Sequence, residues 1–585
     1  MVSPGVAYLL RSAIGVLSKP LLLVLSVHLL AHRLRQPVPG WATVLLASAS
    51  LPLYAAWSVW RTNRRQRREA DAMGARMAPY VPGKWPGNFD IMRQMMWNRA
   101  NGYVGDGLRE YTEQYGPVVN IRVLWIDMLF TTSPDHLKQI LATDFNNFEK
   151  GPRLHGVLRS VLGTGVFNSD GDMWKFHRGM TRPFFSKERV SHFDLIDKHA
   201  TSVIATLKSR ARAGYAIDFQ DLIGRFTMDS ASETLFGTCV NSLQGSIPYP
   251  HNARSAGTGI GTSQDNTFIE AFNAALEFVT RRQMRRSVWP LWELWGDKTA
   301  RHMKIVSAFL DPIIAAAVER KRVADAAGAG GDRKEAQTLL DELLNSTSDV
   351  KVLKDETLNI LLAGRDTTMH TLTMVIYFLS LYPAICVRLR AEILTHVGPA
   401  RRPTYEDIKE MKYLRAVINE ALRLYPPVPF NVRDSIEATT WPSPDPNAQP
   451  IYVPAHTRTA YSVLLMQRRK DLWGPDADEF DPDRFLDERV QKYLLKNSFQ
   501  FLPFNAGPRI CLGQQFAYNE MSFMLVRLLQ NFSAFALAED AFPPSARPPS
   551  AWKKAAGEEG DRALPAEDAL DDVERGRDVG SRCRR

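Results

Sequence analysis

A chain of 585 residues, 45% hydrophobic and 23% charged, is long enough to bury a large cavity and too apolar to be disordered as a whole. Its net charge of +10 sits in part in one arginine cluster near the N-terminus, and no basic helix interleaved with aromatics accompanies it. Nucleic acid is therefore excluded as a partner in favour of anionic headgroups and an acidic protein. Four scattered cysteines, Cys239, Cys386, Cys511 and Cys583, lack metal-site spacing, which excludes a disulfide scaffold and fits a reducing compartment. No linker divides the middle of the chain, so one large unit is expected there.

Trp41 to Trp60 is an apolar stretch of about twenty residues, long enough to cross a bilayer and bounded by tryptophans suited to its interface. Arg61-Thr-Asn-Arg-Arg-Gln-Arg-Arg68 follows directly. Such a cluster stays on the cytoplasmic side, so the body of the protein is expected to face the cytosol. An earlier run, Leu21 to Ala31, is short for a span, and its upstream neighbours are interrupted by Arg11, Lys19 and Pro20. It reads as a second span, a re-entrant piece or a surface helix. A cleaved signal peptide fits poorly, because the arginines follow the more hydrophobic segment and no tidy cleavage site stands out. Residues 1–68 are thus read as a membrane anchor, and 69–88, with Pro79, Pro82 and Pro86, as a stiff hinge.

Further on, Trp174-Lys-Phe-His-Arg178 places an indole and a guanidinium four residues apart, on one helical face, where both can donate to one acidic group. Residues 356–382 form a mostly apolar run interrupted by Ala363-Gly364-Arg365-Asp366-Thr367-Thr368. Charges at its centre argue for a helix buried in protein rather than lipid. Thr367 can bond back to the Ala363 carbonyl, and Gly364 weakens the helix locally, which together permit a widened groove. Asp366 beside Thr367 can relay protons into that groove. Glu420-Ala-Leu-Arg423 has same-face ion-pair spacing, and the prolines of Tyr425-Pro-Pro-Val-Pro-Phe end that helix before an extended segment carrying Arg433.

Phe504-Asn-Ala-Gly507-Pro-Arg509-Ile-Cys511-Leu-Gly513 is the most specific motif, a haem-thiolate signature. An iron-bound thiolate must be shielded from water and eased by close backbone N–H groups, for which glycines on both sides leave room. Arg509 is placed to reach a haem propionate, and Phe504 to cover the sulfur. A lone cysteine is more often a small core residue, and the surrounding specified positions change that balance.

Taken in order, these motifs resemble the cytochrome P-450 family over about residues 85–540, and their wording is most similar to its fungal branch that hydroxylates alkanes and fatty acids. The resemblance implies a mainly α fold with smaller β-sheets (α+β), spanning 89–540, and haem b held through Cys511. It implies that Trp174, Arg178 and Arg433 reach the propionates, that the groove at Ala363 and Gly364 admits dioxygen, and that Asp366 and Thr367 deliver protons. Glu420, Arg423 and Arg484 are implied to form a buried structural triad. The implied activity is membrane-bound monooxygenation of a lipophilic substrate, a fatty acid or alkane, at the endoplasmic reticulum. Electrons would come from NADPH-cytochrome P-450 reductase, with a cytochrome b-type protein as a further donor. A peroxide isomerase of the same fold is the rival enzyme, which the acid-alcohol pair opposes.

From about Pro543 the chain turns to Pro, Ala, Gly and mixed charge. Residues 541–585 are expected to lack a fold. The resembled family carries a β-hairpin there, so its apparent loss raises a second alternative, an inactive haem protein.

Overall fold

Helices carry most of the chain, and short strands sit at its edges. A computed structural model describes residues 3–36, 38–186, 193–250, 264–326, 338–542 and 580–584. In chain order, the elements used below begin with α1 (Pro4–Arg33), α2 (Gly40–Ala72), β1 (Val118–Asn120), β2 (Met128–Thr131) and β3 (Phe148–Glu149). Then come α3 (Gly151–Leu162), α4 (Gly171–Thr181), β4 (Ile217–Asp218), α5 (Phe219–Phe236), α6 (Gln264–Met284), α7 (Val350–Leu381) and α8 (Lys412–Leu424). The last are β5 (Phe430–Ser435), β6 (Thr439–Trp441), β7 (Ile451–Val453), β8 (Arg458–Ser462), α9 (Gln514–Asn531), β9 (Ala534–Leu537) and β10 (Gly580–Arg584).

The main sheet runs β1-β2-β8-β5-β3, with β2 and β8 parallel and the other neighbours antiparallel. Two apolar cores flank α7. Its N-terminal half packs Leu353, Leu358 and Leu361 against α3, α5 and α6 residues, and its C-terminal half packs Leu372, Val375 and Ile376 against α8 and α9. Between the halves the helix stays α-helical, and a Cβ on Gly364 would meet nothing within 4 Å. The helix changes partners there, and that interval is the open wall of the central cavity.

α1 and α2 are both long and apolar enough to cross a membrane. The expected interruption at Pro20 does not appear, since α1 continues through it. A proline removes one backbone bond, and the apolar turns on both sides leave the helix its remaining bonds. α2 continues through the arginines to Ala72 and is pinned to the body there. Gln66 donates to Asp127 (3.0 Å), Arg122 to Asn63 (2.6 Å) and Tyr452 to Glu69. The proline-rich segment is likewise tied down, with Val81 N–H on the Asn120 carbonyl (3.2 Å) and Asn120 N–H on that of Pro79 (2.7 Å).

Most of the tail, 543–579, lies outside the described residues. Its end departs from the expectation for 541–585: β10 pairs antiparallel with both β9 and β4. Strand pairing draws on backbone groups, which a polar composition does not remove.

Candidate active site

The loop around Cys511 is held by its own backbone. Cys511 N–H donates to the Phe504 carbonyl (3.0 Å) and Ile510 N–H to that of Gly507 (3.0 Å). Asn505 and Gly507 both have positive φ, 63° and 67°, which closes the turn. A Cβ on Gly507 would overlap the Leu141 carbonyl, so the loop's close approach there requires glycine. Phe504 packs on Tyr518 with ring centroids 5.0 Å apart. Cys511 and Gly513 line a cavity of about 1920 Å³. Burial pushes the Cys511 thiol up, while the Gly513 N–H and the Arg178 charge pull it part of the way back.

On one rim of this cavity the structure gathers Trp174, Arg178, Arg433 and Arg509, with Lys150 added. Arg178 donates to the Ile510 carbonyl (3.0 Å), joining α4 to the cysteine loop. Arg509 and Arg178 both lie over the Trp174 ring, 4.5 and 5.8 Å from its centroid. Arg509 donates to Asp170 (2.6 Å) and to the Ser169 carbonyl (3.0 Å). Burial, and the like charges of Arg433 and Arg178, draw the Arg509 guanidinium down to about 10, with Asp170 opposing. Burial also lowers Lys150 well below its ordinary value, helped by Arg433 and Arg509.

These residues fit a porphyrin carrying two carboxylates. Arg509 Nε is buried without an acceptor. Arg433, 2% exposed, donates to its neighbour Val432's carbonyl, and no carboxylate pairs with it among the described residues. Arg178, Arg433 and Arg509 gathered beside Asp170 leave Arg433 and Arg509 Nε without a carboxylate partner among the described residues, a need that propionates would meet.

Ala363, Gly364, Asp366 and Thr367 of α7 line the same cavity. Thr367 Oγ1 donates to the Ala363 carbonyl (2.7 Å), as the spacing predicts. Burial raises the Asp366 carboxyl, partly opposed by Arg365, whose Nε lies 3.3 Å away.

The triad stands away from the cavity. Arg423 makes a two-bond fork with Glu420 (2.7 Å each), and Arg484 Nε reaches Glu420 at 3.5 Å. All three are at most 2% exposed. Arg423 also binds the carbonyls of Gln467, Ala477 and Glu479, and Arg484 those of Trp473 and Asp476, so the cluster gathers the segment that precedes the cysteine loop.

Sequence reasoning gave no role to Lys150, or to Asp170 in the loop that leads into α4. It also missed the polar face of α7 that holds the loop entering α4. Asp355 accepts from Thr164 N–H (2.9 Å), Glu356 from Val166 N–H (3.0 Å) and Asn359 from Phe167 N–H (2.9 Å). Glu356 also meets Thr181 (2.7 Å) and His177 (2.9 Å) on α4. The i, i+1, i+4 spacing of these polar residues in an otherwise apolar helix was the available signal.

A profile of the family Cytochrome P450 matches residues 82–557. Cytochrome P450 52E1 of Candida apicola is 38% identical over 414 residues, covering 69% of this chain and 75% of that protein. Cytochrome P450 monooxygenase g430 of a Fusarium species is 34% identical over 516 residues, 86% of this chain and 87% of the relative. Cytochrome P450 52A1 of Candida tropicalis is 37% identical over 426 residues, 71% and 74% of the two chains. The resemblance to the fungal branch is borne out by these relatives. With the cysteine loop, the cationic rim and the α7 groove facing one cavity, the chain belongs to the cytochrome P450 family, whose members bind haem b and act as monooxygenases.

Proposed function

We propose that this monooxygenase hydroxylates a long aliphatic substrate, a fatty acid or alkane, taken from the endoplasmic-reticulum membrane with electrons from NADPH-cytochrome P-450 reductase. One observation carries the reading. Cys511 and the Ala363–Thr367 turn line the same cavity, with apolar side chains such as Leu158, Met374, Phe378 and Leu381 extending it. Haem b, when bound, supplies the oxygen binding and the transfer of oxygen to carbon. Cys511 would hold its iron, and Trp174, Arg178, Arg433, Arg509 and Lys150 would hold its carboxylates. Thr367, its hydroxyl hydrogen engaged by Ala363, presents its oxygen lone pairs to the cavity. Asp366, its carboxyl raised by burial, is the acid proposed to supply protons on this wall together with Thr367. The apolar wall excludes water and orients a chain rather than a polar ligand.

The experiment is turnover of the membrane-bound protein with reductase, NADPH and a panel of fatty acids, alkanes, sterols and aromatics, read by mass spectrometry. Hydroxylated aliphatic products are expected. Products formed from sterols or aromatics alone would overturn the substrate assignment.

A further inference from the structure

The N-terminal helix does more than lead into the anchor. Contacts between α1 and α2 pair residues that rise along one helix with residues that fall along the other: Lys19 sits over the Tyr54 ring (5.7 Å), and His28 meets Thr43 (3.4 Å). The two helices are therefore antiparallel. About two turns back from Lys19 and on from Tyr54, Arg11 comes level with residue 62, inside the arginine cluster. The segments between these levels and the 34–39 connector are each about twenty residues long, one bilayer's thickness. Leu21, Leu22, Leu45 and Leu53 are exposed on their outer faces. Six arginines (Arg11, Arg61, Arg64, Arg65, Arg67, Arg68) lie at the body end and two (Arg33, Arg35) at the connector, the asymmetry that fixes both ends on one side.

At that end the tip of α1 meets the body. Gly5 N–H donates to the Glu293 carbonyl (3.2 Å), and Ser3 Oγ to that of Leu294. A Cβ on Gly5 would stand 2.6 Å from the Pro290 oxygen and 2.7 Å from Leu294 Cα, so the approach needs glycine. The contacted loop follows α6, whose last residues Gln283 and Met284 line the cavity. It is stiffened by Arg282, 1% exposed, which pairs with Glu293 (2.7 Å) and Asp297 (2.6 Å).

We infer that α1 and α2 cross the membrane as an antiparallel hairpin, returning the tip of α1 to the side of the catalytic body, where Ser3–Gly5 latch the 286–295 loop beside the cavity. This rests on the membrane-anchored reading and deepens it: the anchor has two spans and a handle on the wall of the substrate cavity.

The test uses the full chain in sealed microsomes, with Ser3→Cys and Gln36→Cys probed by an impermeant maleimide, each site read by peptide mass spectrometry. Cys at 3 should label without detergent, and Cys at 36 at least tenfold more once detergent is added. Protection at 3 would overturn the hairpin, as would labelling of both sites in protein that resists carbonate extraction. Labelling of both in protein that carbonate releases would instead overturn membrane anchoring itself. For the latch, Ser3→Cys with Leu294→Cys should cross-link under mild oxidation, and adding Gly5→Leu should cut the yield several-fold. An intact topology without cross-linking, or an unchanged yield with Gly5→Leu, would overturn the latch.

Discussion

Thr367 donates its hydroxyl hydrogen to the Ala363 carbonyl one turn back, at 2.7 Å, rather than across the cavity to a side chain. Its oxygen keeps its lone pairs free to accept, which is the basis for the proposed proton relay. Thr367→Ala should lower product formed per NADPH oxidised by about tenfold while NADPH oxidation persists, and Thr367→Ser should restore most of the coupling. Equal coupling in wild type and the Ala variant, measured as product against NADPH consumed, would remove Thr367 from the proton path.

Cys511 is the one residue whose chemistry no neighbour can replace. The reduced, carbon-monoxide-treated wild-type protein should give the red-shifted band of a thiolate-ligated haem, and Cys511→Ser should lose it while keeping the loop. An unaltered band in the serine variant would place the ligand elsewhere.

Glu420 accepts the Arg423 fork and also the Asp481 N–H (3.0 Å) in a fully buried setting. Glu420→Ala would strand the Arg423 charge, at a cost on the order of 3–5 kcal/mol. The urea midpoint should fall accordingly. A shift worth less than about 1 kcal/mol would mean that solvent reaches the pair.

Glu520 on α9 accepts from Ser230 on α5 (2.6 Å), and burial raises its carboxyl from 4.5 to about 7, opposed by hydrogen bonds from Ser230 and Thr368. The folded state therefore keeps a proton that the unfolded state releases above pH 4.5. Its stabilising share is complete below that value and disappears as pH climbs through 7, a change on the order of 3 kcal/mol. The urea midpoint of wild type should drop between pH 5 and 7.5 by more than that of Glu520→Gln. Parallel profiles would show Glu520 ionised throughout.

What the sequence revealed is what local spacing or ligand chemistry dictates. The Thr367–Ala363 bond and the Glu420–Arg423 fork follow from helical offsets of four and three, and the cysteine loop from what an iron thiolate requires. What it hid depends on the tertiary path. Lys150 and Asp170 flank α3 and come together only because the chain returns after that helix, with Lys150 and Gly151 N–H groups both donating to Asp170 (3.1 and 2.9 Å), which in turn accepts from Arg509. The constraint on Gly507 comes from Leu141, hundreds of residues earlier. β10 was hidden because its partners, β9 and β4, answer its backbone and not its composition.

Helix α7 carries two structures on one rigid rod: the groove at Ala363–Thr367, and the Asp355, Glu356 and Asn359 side chains that hold the entrance to α4 and so aim Trp174 and Arg178. Inserting one residue between Asn359 and Ala363 would turn the groove by about 100° against that entrance. The interval between them is a ruler whose length evolution can relabel but not stretch, so substitutions there should be tolerated far more readily than any single-residue insertion or deletion.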